Sequence, residues 1–150
     1  MLESGAIFDR FTTSSKKFTD KGVGLFLSAN TTLRYCISYS TNIKKNKDPK
    51  VVNHFREKMI NRIRIDIQSY IRELLSEDDE YQTEVDTILM YLKALINGTY
   101  ITGYTIKSIF EFPEKLKERH KLISEQDAYF LQSLHEYLYL LTVMLTRIDS

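Results

Sequence analysis

Apolar residues recur every three or four positions over long stretches of this chain, with polar residues filling the intervals. The clearest run starts at Asp48-Pro49, an acceptor side chain followed by a residue whose missing N–H is not needed at a helix start. Behind it come Val52, Phe55, Met59, Ile63, Ile67, Tyr70 or Ile71, and Leu74. That spacing is one stripe of an amphipathic helix reaching about Leu75. At 1.5 Å per residue such a helix is roughly 40 Å long.

A second helix is predicted from Ser76, whose partner three residues on, Asp79, completes a cap. Its first turn then holds the acids of the run Glu77–Glu80, where the helix dipole favours negative charge. Its stripe is Tyr81, Val85, Ile88/Leu89, Leu92 and Leu95/Ile96, and Asn97-Gly98 reads as its stop. A third helix opens at Ser124 with Asp127 in the matching position. Its seam is the most regular in the chain: Leu131, Leu134, Leu138, Leu141, Leu145 and Ile148, widened by Phe130, Tyr137 and Met144.

Two regions are less clear. Residues 99–123 begin with strand-like composition, Tyr100-Ile101-Thr102-Gly103-Tyr104. A helix from about Gly103 to Phe112 is predicted there, broken before Pro113 and followed by a short charged helix up to Leu122. Across residues 23–43, Phe26, Ala29, Leu33, Cys36/Ile37 and Ser40 fit a helix. The alternation Leu33, Tyr35, Ile37, Tyr39 fits a strand, with a β-hairpin over 23–40 turning at Asn30-Thr31. The helix is favoured, because a lone hairpin among helices has no sheet to join. The basic stretch Thr41–Lys50 reads as an exposed loop. Together these elements predict an all-α fold, a bundle of four to six helices in a single domain over residues 1–150.

Charge changes the picture more than composition does. Residues 1–72 carry 14 Lys/Arg against 6 Asp/Glu, and residues 73–150 carry 7 against 14. The whole-chain net of +1 therefore hides a basic half joined to an acidic half at Ser76-Glu77-Asp78-Asp79-Glu80. Such a dipole bears on partners and assembly rather than on chemistry.

Candidate chemistry is sparse. His54, His120 and His135 are scattered, and none has a second His or a Cys at ligand spacing. Cys36 has no activating base near it in sequence and reads as a small buried apolar side chain. Gly22-Val23-Gly24 lacks the remaining glycine of a dinucleotide fingerprint, and neither Gly98 nor Gly103 precedes Lys-Ser/Thr as in a P-loop. The acidic run lacks the alternating ligands and central glycine of a calcium loop. No histidine follows an arginine at the spacing of helical HEPN-type ribonucleases. No enzyme activity, metal or cofactor is expected. One cysteine favours a reducing compartment, and the absence of a basic stretch with an apolar run behind it argues against a signal peptide, so a cytoplasmic location is expected. Uncharged runs of about 13 residues are too short to cross a bilayer.

What remains are surfaces. Lys16, Lys17, Lys44, Lys45, Lys47 and Lys50 fall in predicted loops or element ends, and Lys58, Arg62 and Arg72 lie opposite the Val52–Leu74 stripe. These nine cations suit a phosphate backbone, with Tyr35 or Tyr39 as stacking candidates for a single strand. Contact of that kind reads backbone, not sequence. Glu77, Asp78, Asp79 and Glu80, with the Leu131, Leu134, Leu138, Leu141, Leu145 seam, suit a protein neighbour or a second copy of the chain, unless the leucines simply fill the core. The expected function is a non-enzymatic accessory subunit touching nucleic-acid backbone through its basic half and protein through its acidic half. Helical small subunits of CRISPR effector complexes share that general design, an analogy of fold alone. The alternative is a pure protein-binding inhibitor, immunity protein or adaptor of phage, viral or bacterial origin.

Overall fold

The computed structural model describes residues 20–75, 80–97 and 103–146, without the side chains of residues 20–23, 43, 44 and 80. Five α-helices and no strand form these residues: α1 (Asp20–Lys45), α2 (Pro49–Leu74), α3 (Glu80–Ile96), α4 (Gly103–His120) and α5 (Glu125–Thr146). The all-α bundle is what the apolar spacing predicts.

Two helix starts carry the caps read from sequence. Asp48 Oδ1 accepts the Lys50 backbone N–H at 3.0 Å, with Pro49 in the first turn. Ser124 Oγ accepts the Asp127 N–H at 3.0 Å. The cap expected at Ser76 and Asp79 lies outside the described residues.

The helix favoured over 23–40 forms, and the alternative hairpin does not. Two expectations are corrected. The loop predicted over Thr41–Lys50 shrinks to residues 46–48, because α2 starts at Pro49 and α1 runs unbroken through Lys45. Its Ser/Thr content does not break it, since the hydroxyls are satisfied within the helix: Thr31 Oγ1 donates to Leu27 O at 2.9 Å and Thr41 Oγ1 to Ile37 O at 3.2 Å. Its other side buries Leu25, Phe26, Ala29, Leu33, Cys36 and Tyr39. Likewise α4 continues through Pro113 instead of stopping before it. The missing N–H forfeits one bond to Ile109 O. Against that, Ile109, Phe112, Pro113 and Leu116 are all buried, so packing of this face outweighs the lost bond.

The α4–α5 connection is a tight reversal. Lys121 takes the left-handed conformation at φ 52, the Leu122 N–H reaches back to Lys117 O at 3.1 Å, and the Leu122 side chain is buried. These are the parts of a Schellman stop with its apolar contact.

Each helix packs against its neighbour in sequence, and α5 packs against all four others. Among the described residues α1 touches neither α3 nor α4, and α2 does not touch α4. The first four helices thus form an arc around α5. That position explains a helix with almost no polar side: Phe130, Leu131, Leu134, Tyr137, Leu138, Leu140, Leu141 and Leu145 are buried along it. The five leucines weighed as a protein interface, Leu131, Leu134, Leu138, Leu141 and Leu145, are accordingly buried core residues of this chain, with Leu131 alone of the five also lining a cleft.

Candidate functional site

Helices α1 and α2 form an antiparallel pair whose register is fixed by three contacts. Ser28 Oγ donates to Asp66 Oδ1 at 2.7 Å, the Arg62 guanidinium lies 4.8 Å over the Tyr35 ring, and Cys36 Sγ donates to Met59 Sδ at 3.2 Å. With the apolar stripes turned to α5, the helical period puts Thr31, Arg34, Ser38 and Lys45 of α1 beside Lys58, Asn61, Ile65 and Arg72 of α2 on the outer side. All eight are exposed. Lys47 and Lys50 continue this surface around the connection.

The predicted cations divide on inspection of their surroundings. Lys45, Lys47, Lys50 and Lys58 are exposed and form no ion pair with any described residue. Arg62, expected to be free, is half-buried in the α1–α2 seam, where its guanidinium covers Tyr35. Arg72 is exposed but sits 5.8 Å over the Tyr81 ring, and Tyr81 OH in turn donates to Gln68 O at 3.1 Å, tying α2 to α3. These two arginines act first as clamps between helices. The stacking candidates fare worse: Tyr39 is buried in the core, and the face of Tyr35 is occupied by Arg62. The side chains of Lys44 and Glu80 are not among those described, and Lys16, Lys17, Glu77, Asp78 and Asp79 lie outside the described residues altogether.

The inner side of the same pair holds a group that sequence reasoning missed. Asp66 looks like a surface charge diluting a basic helix, yet only 1% of it is exposed. Its carboxylate accepts from Ser28 at 2.7 Å and from Tyr137 OH at 2.7 Å, and Thr32 is also hydrogen-bonded to it. Burial pushes this carboxyl above its ordinary range, against the pull of the three hydroxyls and the Arg62 charge. Tyr137 stacks on Tyr70 at 5.8 Å, and Tyr70 OH lies 2.6 Å from Ser133 Oγ. Burial, and then the Asp66 charge, hold the Tyr137 hydroxyl well above its usual value. Burial also pushes the Cys36 thiol up to about 12, so it carries no thiolate with which to act as a nucleophile. This polar spine joins α1, α2 and α5. Its chemistry is that of orientation, since its groups face one another rather than solvent.

At the other end of the arc, Arg119 Nη2 donates to Glu84 Oε2 at 2.6 Å and His120 Nε2 stands 3.7 Å from Glu84 Oε1, joining α3 to α4. Between α4 and α5 a cleft of about 350 Å³ has a floor of Phe110, Pro113, Ala128 and Leu131 and a rim of Glu114, Lys117, Gln132 and His135. The three histidines stay apart: His54 is exposed on α2, His120 ends α4, and His135 borders the cleft. Among the described residues no group of three or more His, Cys, Asp or Glu is placed to hold a metal ion, and no helix is long and apolar enough to cross a membrane. Comparison with protein-family models, with curated proteins and with solved structures returns no match.

Proposed function

We propose that the chain is a non-enzymatic helical accessory subunit that touches a nucleic-acid backbone with the outer side of the α1–α2 pair and a protein neighbour with its C-terminal half. The observation that carries this reading is the set Lys45, Lys47, Lys50 and Lys58, exposed, in no ion pair with a described residue and grouped by the helical period on one surface. Lys50, His54 and Lys58 recur at four-residue steps along α2, one turn and about 6 Å apart, a spacing suited to successive charges on an extended strand. Arg62 and Arg72 add positive potential to the same side while clamping tyrosines. The two-surfaced reading is preferred to a pure protein-binding inhibitor or adaptor because none of these four lysines forms an ion pair with an acid among the described residues.

The test is retention of a single-stranded oligonucleotide by the full chain across a salt series. Four phosphate contacts on a single strand give log K a slope of about −3 against log salt. The quadruple Lys45→Glu, Lys47→Glu, Lys50→Glu, Lys58→Glu variant is expected to abolish retention while leaving the helical circular-dichroism spectrum intact. Equal retention by the variant and the parent would sink the proposal and leave the protein-binding reading.

A further inference from the structure

We propose that the outer side of α4, together with the α4–α5 turn, pairs with the same surface of a second copy of this chain, antiparallel about a two-fold axis beside Lys117 and Glu118. This deepens the reading that the C-terminal half takes a protein neighbour, and it names the neighbour. It does not depend on nucleic-acid contact by α1 and α2.

The charges of α4 fall into two sets. Lys107 and Lys115 each lie 3.6 Å from the Glu111 carboxylate, and Arg119 and His120 turn to Glu84. Glu114, Lys117, Glu118 and Lys121 are exposed and pair with no described residue. Glu114 and Lys117 stay apart although they stand at the three-residue spacing that allows pairing on a helix. The helical period keeps Glu114, Lys117 and Glu118 on one side, with Glu114 and Lys117 bordering the cleft, and Lys121 follows in the turn. Their order is acid, base, acid, base, which is its own complement when reversed. In an antiparallel pairing of two copies, Glu114 meets Lys121 of the second copy and Lys117 meets Glu118, and the symmetry makes each contact twice.

An independent observation fits the same register. Ile123 is 87% exposed, the most exposed large apolar side chain among the described residues. The left-handed turn at Lys121 tucks Leu122 inward and leaves Ile123 outside. In the pairing that matches the charges, Ile123 comes level with residues 110–113 of the second copy, where the 350 Å³ cleft opens over Phe110, Pro113 and Leu131. Each copy thus carries an apolar knob and an apolar recess, placed where the other needs them.

The experiment is sedimentation equilibrium of the full chain at low salt over a wide concentration range. The apparent mass is expected to rise from the 17.7 kDa of one chain toward twice that value. Ile123→Asp is expected to leave only monomer. Lys117→Glu alone and Glu118→Lys alone each turn two attractions into repulsions and are expected to raise the dissociation constant about tenfold. The double Lys117→Glu, Glu118→Lys variant restores every pair and is expected to recover parental association. All three positions are exposed, so thermal unfolding of the monomer should be unchanged. A parent that stays monomeric up to about 1 mM, where even millimolar affinity would show, overturns the proposal. So does a double variant no better than the singles. Loss of oligonucleotide retention with dimerisation intact would strike the nucleic-acid reading alone.

Discussion

Asp66→Asn removes one titrating group from the middle of the bundle while keeping its shape, and its effect on stability has a definite sign. Asp66 accepts from Ser28 and Tyr137 at 2.7 Å each. Hydrogen bonds to a charged acceptor contribute roughly 1.5–3 kcal/mol apiece, so these two offset about 3–6 kcal/mol. Taking a carboxylate out of water costs several kcal/mol in a real protein. The opposing effects are of similar size and burial wins, which holds the carboxyl above its ordinary value of 3.8. The folded chain therefore keeps this proton at pH values where the unfolded chain has released it. Stability from Asp66 is fully present below 3.8 and is lost as pH rises through the folded value. Within that window the loss approaches about 1.4 kcal/mol per pH unit. Urea unfolding followed by circular dichroism, for the parent and Asp66→Asn at a series of pH values, isolates this group, because every other titration cancels in the difference. The parent's advantage is expected to shrink as pH rises and then level off. An advantage that grows with pH would mean that the hydroxyls and Arg62 outweigh burial, and the reasoning would be wrong.

Three further outcomes follow from the packing. Leu138→Ala, at a fully buried position of α5, is expected to cost about 2–5 kcal/mol in urea unfolding, whereas a surface leucine feeding a partner would cost little in the isolated chain. Cys36, with its thiol held at about 12 by burial, is expected to resist iodoacetamide at about pH 8 until urea unfolds the chain; rapid labelling of the native protein would contradict its placement. Arg119→Ala leaves the nearly buried Glu84 carboxylate with only His120 at 3.7 Å, and a loss of about 1–3 kcal/mol is expected, at the low end because the Arg119 side chain is half exposed; an unchanged urea midpoint would show that Glu84 finds water instead.

Much of the fold could be read from spacing, because helix faces and caps are local features. The Asp48-Pro49 start and the Ser124 cap involve residues within three positions of each other, so the chain states them outright. The errors share one origin: each depended on what a distant segment supplies. Pro113 and the polar end of α1 look like breakers until the burial of the rest of each helix is weighed. Asp66 is the sharpest case. It stands between Ile63 and Tyr70 at helical spacing, on the buried stripe itself, and that position was the available signal. What could not be read is that Ser28, 38 residues earlier, and Tyr137, 71 residues later, bring hydroxyls to meet it. Arg62 and Arg72 were misjudged for the same reason, since the tyrosines beneath them belong to other helices. Of the candidate surface, the lysines around the α1–α2 connection were legible, because exposure there follows from local polarity.

The central position of α5 also sets a timetable. A ribosome releases this helix after the other four, so the arc they form has no filler while residues 20–120 are emerging. Their inner apolar sides must wait, and local hairpin contacts alone hold them in the interval. The closing step brings Tyr137 to Asp66 and completes the polar spine and the core together. Until then the nascent chain presents a greasy trough, the kind of transiently exposed apolar surface that favours aggregation.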